Sequence, residues 1–90
     1  MDRLHAVVHG DVQGVGFRYF LVNRARPLAL KGWVRNRPDG AVELVAEGER
    51  PKLERLLEAA REGPRHASVG EVDVEWEQAI GGLTAFDLIY

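Results

Sequence analysis

Ninety residues suffice for one small domain with its own core, and 46% of them are hydrophobic. The chain has no cysteine, which excludes a disulfide framework, a thiolate nucleophile and a cysteine-bound metal; no apolar run can span a membrane, and MDRLHAVVHG lacks the apolar stretch of a signal peptide, so a cytoplasmic protein is expected. The net charge of −2 lacks the basic footprint of a nucleic-acid binder, but Arg3, Arg18, Arg24, Arg26, Lys31, Arg35 and Arg37 outnumber Asp2, Asp11 and Asp39 in the first forty residues, where a small anion would be favoured.

Arg3 to Gly10 alternates as a strand, with Leu4, Ala6 and Val8 on one side and His5, Val7 and His9 on the other. The stretch HGDVQGVGFR follows, with Gly10, Gly14 and Gly16 in one short connection. Phe17, Phe20, Leu21, Ala25 and Leu28 then share a helical face, and Pro27 should end or kink that helix in its last turn. KGWVRN and AVELVAE read as two strands joined by the turn RPDG, a hairpin over residues 31–47 with Val42, Leu44 and Ala46 on one side.

RPKLERLLEAAREGP is the clearest helix: Pro51 suits its first turn, Leu53, Leu56, Leu57 and Ala60 form its buried stripe, and Gly63-Pro64 stops it. SVGEVDVEWEQ is a fourth strand, with Val72, Val74 and Trp76 inward and Glu71, Asp73, Glu75 and Glu77 outward. After a break at Gly81-Gly82, LTAFDLIY supplies a short last strand at an edge. The order β-α-β-β-α-β plus that strand predicts a single α+β domain over residues 1–90. Its form is a ferredoxin-like split β-α-β sandwich: an antiparallel sheet, two helices on one face and an extra C-terminal edge strand.

The glycine loop joins a strand to a helix, where unpaired N–H groups and the helix dipole favour an anion. Arg18 in the first helical turn adds a two-pronged donor suited to phosphate. The spacing matches neither the P-loop nor the dinucleotide-binding fingerprint, because Tyr19 occupies the place of the last glycine and no lysine is near. On physics alone a plain connection and an anion cradle both stand. Asn36 is equally a turn residue before RPDG or an amide that orients a water without adding charge.

The longer pattern is more specific. Val8, Gly10, Val12-Gln13-Gly14-Val15 and Phe17-Arg18, followed by Gly32, Val34 and Asn36, closely resemble the acylphosphatase family pattern V-x-G-x-V-Q-G-V-x-F-R, then G-x-V-x-N. The resemblance continues through DGAVEL, AEG and GPRHASV. Its one departure is Leu28-Ala29-Leu30 after Pro27, where the family often has leucine-glycine-leucine. The resemblance implies hydrolysis of acyl phosphates to a carboxylate and inorganic phosphate. The backbone N–H groups of Gln13, Gly14, Val15, Gly16 and Phe17, with Arg18, would hold the phosphoryl group. Asn36 would position the attacking water, and no metal or cofactor is implied.

The chain's single serine and threonine, Ser68 and Thr84, lie away from the loop, so a positioned water is the simpler nucleophile. The carboxylate is a good leaving group, and with no general base near the loop the substrate's own phosphate would take the water's proton. A non-catalytic phosphate-binding module is the alternative. Related domains also begin larger carbamoyl-transfer maturation proteins, but the span from Met1 to a terminal strand at Tyr90 favours a free-standing enzyme. An RNA-recognition module is disfavoured, because RLHAVVH and AVELVAE carry no aromatic residue. The expected partner is therefore a small acyl phosphate, with neither nucleic acid nor membrane, and a monomer is expected.

Other candidates are weaker. His5 and His9 would stand ~13 Å apart on one strand face, too far for one metal. His9 with Asp11 makes only two ligands, and His66 falls in a loop. Glu43, Glu47 and the acidic alternation from Glu71 to Glu77 read as a solvated sheet face. Trp33 and Trp76 read as strand packing, and Arg35 and Arg37 as an exposed hairpin.

Overall fold

Each strand and helix expected from periodicity forms in the computed structural model, which describes residues 1–90. They are β1 (Asp2–Asp11), α1 (Phe17–Ala25), β2 (Lys31–Asn36), β3 (Val42–Gly48), α2 (Arg50–Glu62), β4 (Ser68–Gln78) and β5 (Phe86–Leu88). The sheet order is β4-β1-β3-β2-β5. The first four strands pair antiparallel, while β5 joins the β2 edge in parallel, Gly32 opposite Phe86 and Val34 opposite Leu88. The extra edge strand is where it was expected, and its direction makes the sheet mixed. The reason is geometric: β4 runs opposite to β2, so a chain that reverses once after β4 must run with β2.

Alternation decides what is buried. Leu4, Ala6 and Val8 of β1, Val34 of β2 and Val42, Leu44 and Ala46 of β3 share one face, and Leu21, Leu53 and Leu56 of the helices close over it in one core. Both helices therefore sit on one side of the sheet. Val72, Val74 and Trp76 of β4 pack against the same core, as their parity requires. Arg50 of α2 stacks over the Trp76 ring at 3.6 Å.

The helix α1 stops at Ala25, and a single 3₁₀ turn over Arg26–Leu28 takes in Pro27. The end is a Schellman arrangement: Leu30 N–H donates to Ala25 O at 3.3 Å and Ala29 N–H to Arg26 O at 3.0 Å. This places Ala29 in the left-handed region at φ 57°, the only non-glycine residue with positive φ. A Cβ there is a steric burden that glycine lacks. Ala29→Gly is therefore expected to stabilise the fold by about 0.5–1 kcal/mol, less than the full left-handed penalty because glycine loses more entropy on folding. Thermal unfolding checks it, and an unchanged or lower Tm contradicts it.

On the opposite face the structure corrects one expectation. Glu43 and Glu47 are not solvated; they are 8% and 7% exposed. β3 is the middle strand, so side chains from β1 and β2 fold over it. His5 Nε2 lies 2.6 Å from Glu43 and Arg35 Nε donates to it at 2.8 Å. Arg3 donates to Glu47 at 2.9 Å, and the N–H groups of Ile80 and Gly81 donate at 2.9 and 3.0 Å, which pins the crossing from β4 toward β5. The outward acids of β4 are exposed as expected, and Asp73 meets His9 at 2.9 Å.

These contacts make the fold acid-sensitive. Burial pushes the Glu43 carboxyl up, but the hydrogen bonds and charges of His5 and Arg35 outweigh it and hold it below the usual glutamate range. The Ile80 N–H, against opposing burial and with help from Arg3 and Gly81, holds Glu47 low as well. A carboxyl lowered in the folded state stabilises it above the unfolded value, and that stability is lost as pH falls through the folded value. Glu47→Ala is expected to lower stability at neutral pH by about 1–2 kcal/mol. The gap from the unsubstituted protein should close as pH drops below the ordinary glutamate value of 4.5. Denaturant curves against pH measure it; a gap constant from pH 7 to 3 contradicts it.

Candidate active site

The connection from β1 to α1 is shaped by its glycines. Gly14 and Gly16 adopt left-handed φ of 75° and 77°, and an added Cβ at either would meet nothing within 4 Å. Backbone dihedral, not space, demands glycine there. Gly10 serves differently: it lies at a register shift between β1 and β4, where a Cβ would strike the Ser68 carbonyl and stand 2.8 Å from Gly70 N. Val12 and Phe17 are buried at either end of the loop and anchor it to the core.

No backbone N–H from Gln13 through Tyr19 donates a hydrogen bond to the rest of the chain; the first that does is Phe20, to Gly16 O at 3.0 Å. The N-terminus of α1 has no side-chain cap and no acid in its first turn. A row of donors at the positive end of a helix is thus left open.

The loop is stapled to the β2–β3 hairpin by a contact the sequence did not disclose. The Gln13 side-chain amide donates to Arg37 O at 2.8 Å and to Ala41 O at 2.9 Å. The hairpin turn is itself closed by Arg37 N–H to Ala41 O at 2.8 Å and by Ala41 N–H to the Asp39 carboxylate at 3.1 Å. That N–H, with lesser help from Arg37, holds the Asp39 carboxyl below its usual range. The staple sets Asn36, the last residue of β2, against the loop.

Between them lies a cavity of about 170 Å³, walled by Val12, Gly14, Gly16, Phe17, Arg18 and Tyr19, with Asn36 from the hairpin. No carboxylate or imidazole lines it. No carboxylate comes within 4.0 Å of Arg18, and its guanidinium joins none of the chain's hydrogen bonds. The Asn36 amide is likewise unengaged. The flanking arginines are occupied, Arg35 by Glu43 at 2.8 Å and Arg37 by Asp39 at 3.0 Å. A larger hollow over His5, Val7, Asp73 and Glu75 contains an imidazole already paired with Glu43.

Of the predicted residues, Gly14, Gly16, Phe17, Arg18 and Asn36 share this wall, while Gln13 and Val15 belong to the loop without lining it. Val15 packs against the core. Tyr19 lines the cavity unanticipated; one residue after Arg18, on an exposed part of the helix, it carried no periodic signal.

The acylphosphatase family model matches residues 4–88. The chain belongs to the acylphosphatase family. It is accordingly an enzyme, a hydrolase of the acylphosphatase class. An acylphosphatase from Acaryochloris marina is 49% identical over 86 residues, covering 96% of this chain and 91% of the relative. The crystal structure of acylphosphatase from Bacillus subtilis superposes with a TM-score of 0.96 at 39% identity, with both chains covered completely. The acylphosphatase fold also recurs within a larger protein: HypF of T. kodakarensis matches with a TM-score of 0.84 at 30% identity, covering all of this chain and 12% of that one.

Proposed function

We propose that this acylphosphatase hydrolyses small acyl phosphates at the glycine loop, with the phosphoryl oxygens held by backbone N–H groups of Gln13 to Phe17 and by the Arg18 fork. The observation that carries the reading is the run of unpartnered N–H groups in the loop that walls the same cavity as the unpaired Arg18 and Asn36. Asn36 orients a water in line with the bond to the acyl oxygen. The water oxygen attacks phosphorus, the P–O bond to the acyl group breaks, and the carboxylate leaves with the electron pair. The second proton of the water passes to a phosphate oxygen, since no base lines the cavity. The products are a carboxylate and dihydrogen phosphate.

Little acid catalysis is required, because the carboxylate leaves readily. The protein's part is positioning and charge stabilisation. A preorganised oxyanion donor is worth about 3–4 kcal/mol, so several of them with one guanidinium account for a large acceleration without a metal. The test is hydrolysis of benzoyl phosphate in excess EDTA, with turnover expected to be unaffected by the chelator. No turnover, with inorganic phosphate still bound at the loop, would leave a phosphate-binding module instead.

A further inference from the structure

Arg18 needs its fork free, yet a long side chain with no partner is disordered, and ordering it on binding has an entropic cost. The structure supplies one restraint on it. The Arg18 guanidinium carbon stands 5.2 Å from the centroid of the Tyr90 ring. Tyr90 is 95% exposed, so core packing does not explain the position of this ring.

The position follows from topology. β5 runs parallel to β2 with Phe86, Asp87 and Leu88 opposite Gly32, Trp33 and Val34. The pairing continues through Ile89 N–H to Val34 O at 2.9 Å. Continued by two residues, that register brings Tyr90 level with Asn36. The parallel direction of β5 therefore delivers an aromatic ring to the end of the sheet that carries the cavity.

We propose that Tyr90 is a positioning residue for Arg18, holding the guanidinium by its face so that its N–H edge stays free for phosphate. The chemistry separates this restraint from an ion pair. A carboxylate would bond the same N–H edge that phosphate uses, whereas an aromatic ring engages the π-face. The inference rests on the reading of Arg18 as the phosphate ligand.

An exposed contact of this kind corresponds to about a two- to five-fold change in an equilibrium constant. Removing the ring weakens a ligand held alike in ground and transition states. KM for benzoyl phosphate and the dissociation constant of inorganic phosphate should therefore rise together, by more than kcat falls. The experiment compares Tyr90→Leu and Tyr90→Phe, with inorganic phosphate titrated by NMR and benzoyl phosphate kinetics alongside. Tyr90→Leu should weaken phosphate two- to five-fold at unchanged Tm, and Tyr90→Phe should restore it. Adding Tyr90→Leu to Arg18→Gln should weaken phosphate no further.

Unchanged phosphate affinity in Tyr90→Leu, an equal loss in Tyr90→Phe, or an additive loss in the double variant would overturn the proposal. If Arg18→Gln itself binds phosphate and hydrolyses benzoyl phosphate normally, the reading of Arg18 fails first. If only the Tyr90 arm fails, that reading stands.

Discussion

Arg18→Lys is expected to fold normally and to lose roughly 100- to 1000-fold in kcat/KM for benzoyl phosphate, the range seen when one oxyanion donor is removed. The substitution keeps the charge and removes the geometry. A guanidinium presents parallel N–H bonds to two phosphoryl oxygens, and an ammonium presents a point charge on a flexible stem. In this cavity arginine is the only cationic side chain, so no neighbour compensates. Because Arg18 makes no ion pair or hydrogen bond within the chain, Tm should move little, and lost activity cannot be ascribed to unfolding. Steady-state kinetics with thermal unfolding of the same sample decides it. A lysine variant within ten-fold of the unsubstituted enzyme would sink the role given to Arg18.

Asn36→Ala should separate binding from chemistry. A group that orients the attacking water acts on the transition state more than on bound substrate, so kcat should fall by about 100-fold while KM and phosphate affinity stay nearly constant. The amide makes no hydrogen bond within the chain, so stability should again be nearly unchanged. Asn36→Asp sharpens the test: it keeps the shape, loses the donor and sets a negative charge beside the phosphate, and it should be at least as inactive as alanine. A variant that loses phosphate affinity and kcat in equal measure would make Asn36 a ligand of the phosphoryl group instead.

The elements were readable because each is a local pattern. Leu4, Ala6 and Val8 alternate, Leu53, Leu56 and Leu57 recur at helical spacing, and both patterns describe which face is buried without reference to any partner. The glycine loop was readable for a related reason: a left-handed φ at positions 14 and 16 is a property of single residues, and glycine announces it. Position and chemistry made Arg18 and Asn36 candidates, but each kept a plain alternative, and only the family pattern chose between them. Nothing in the sequence around Arg18 separates this unpaired arginine from Arg35 or Arg37, which are held by carboxylates.

What local pattern could not supply is everything that depends on which strands lie side by side. The burial of Glu43 and Glu47 follows from β3 being the middle strand, covered by Arg3, His5 and Arg35 from its neighbours. The direction of β5, and with it the arrival of Tyr90 beside Arg18, follows from the parity of reversals along the chain. The Gln13 staple joins residues 24 and 28 positions apart. Strand periodicity assigns each side chain to a face but says nothing about the neighbour across the ladder, and cross-strand neighbours are what bury a charge or set an asparagine opposite a loop. Residue order therefore suffices for the elements, the core and the left-handed turns of the glycine loop. Pairing in three dimensions decides that Arg35 and Arg37 are occupied by carboxylates while Arg18, in the wall of the cavity, is not.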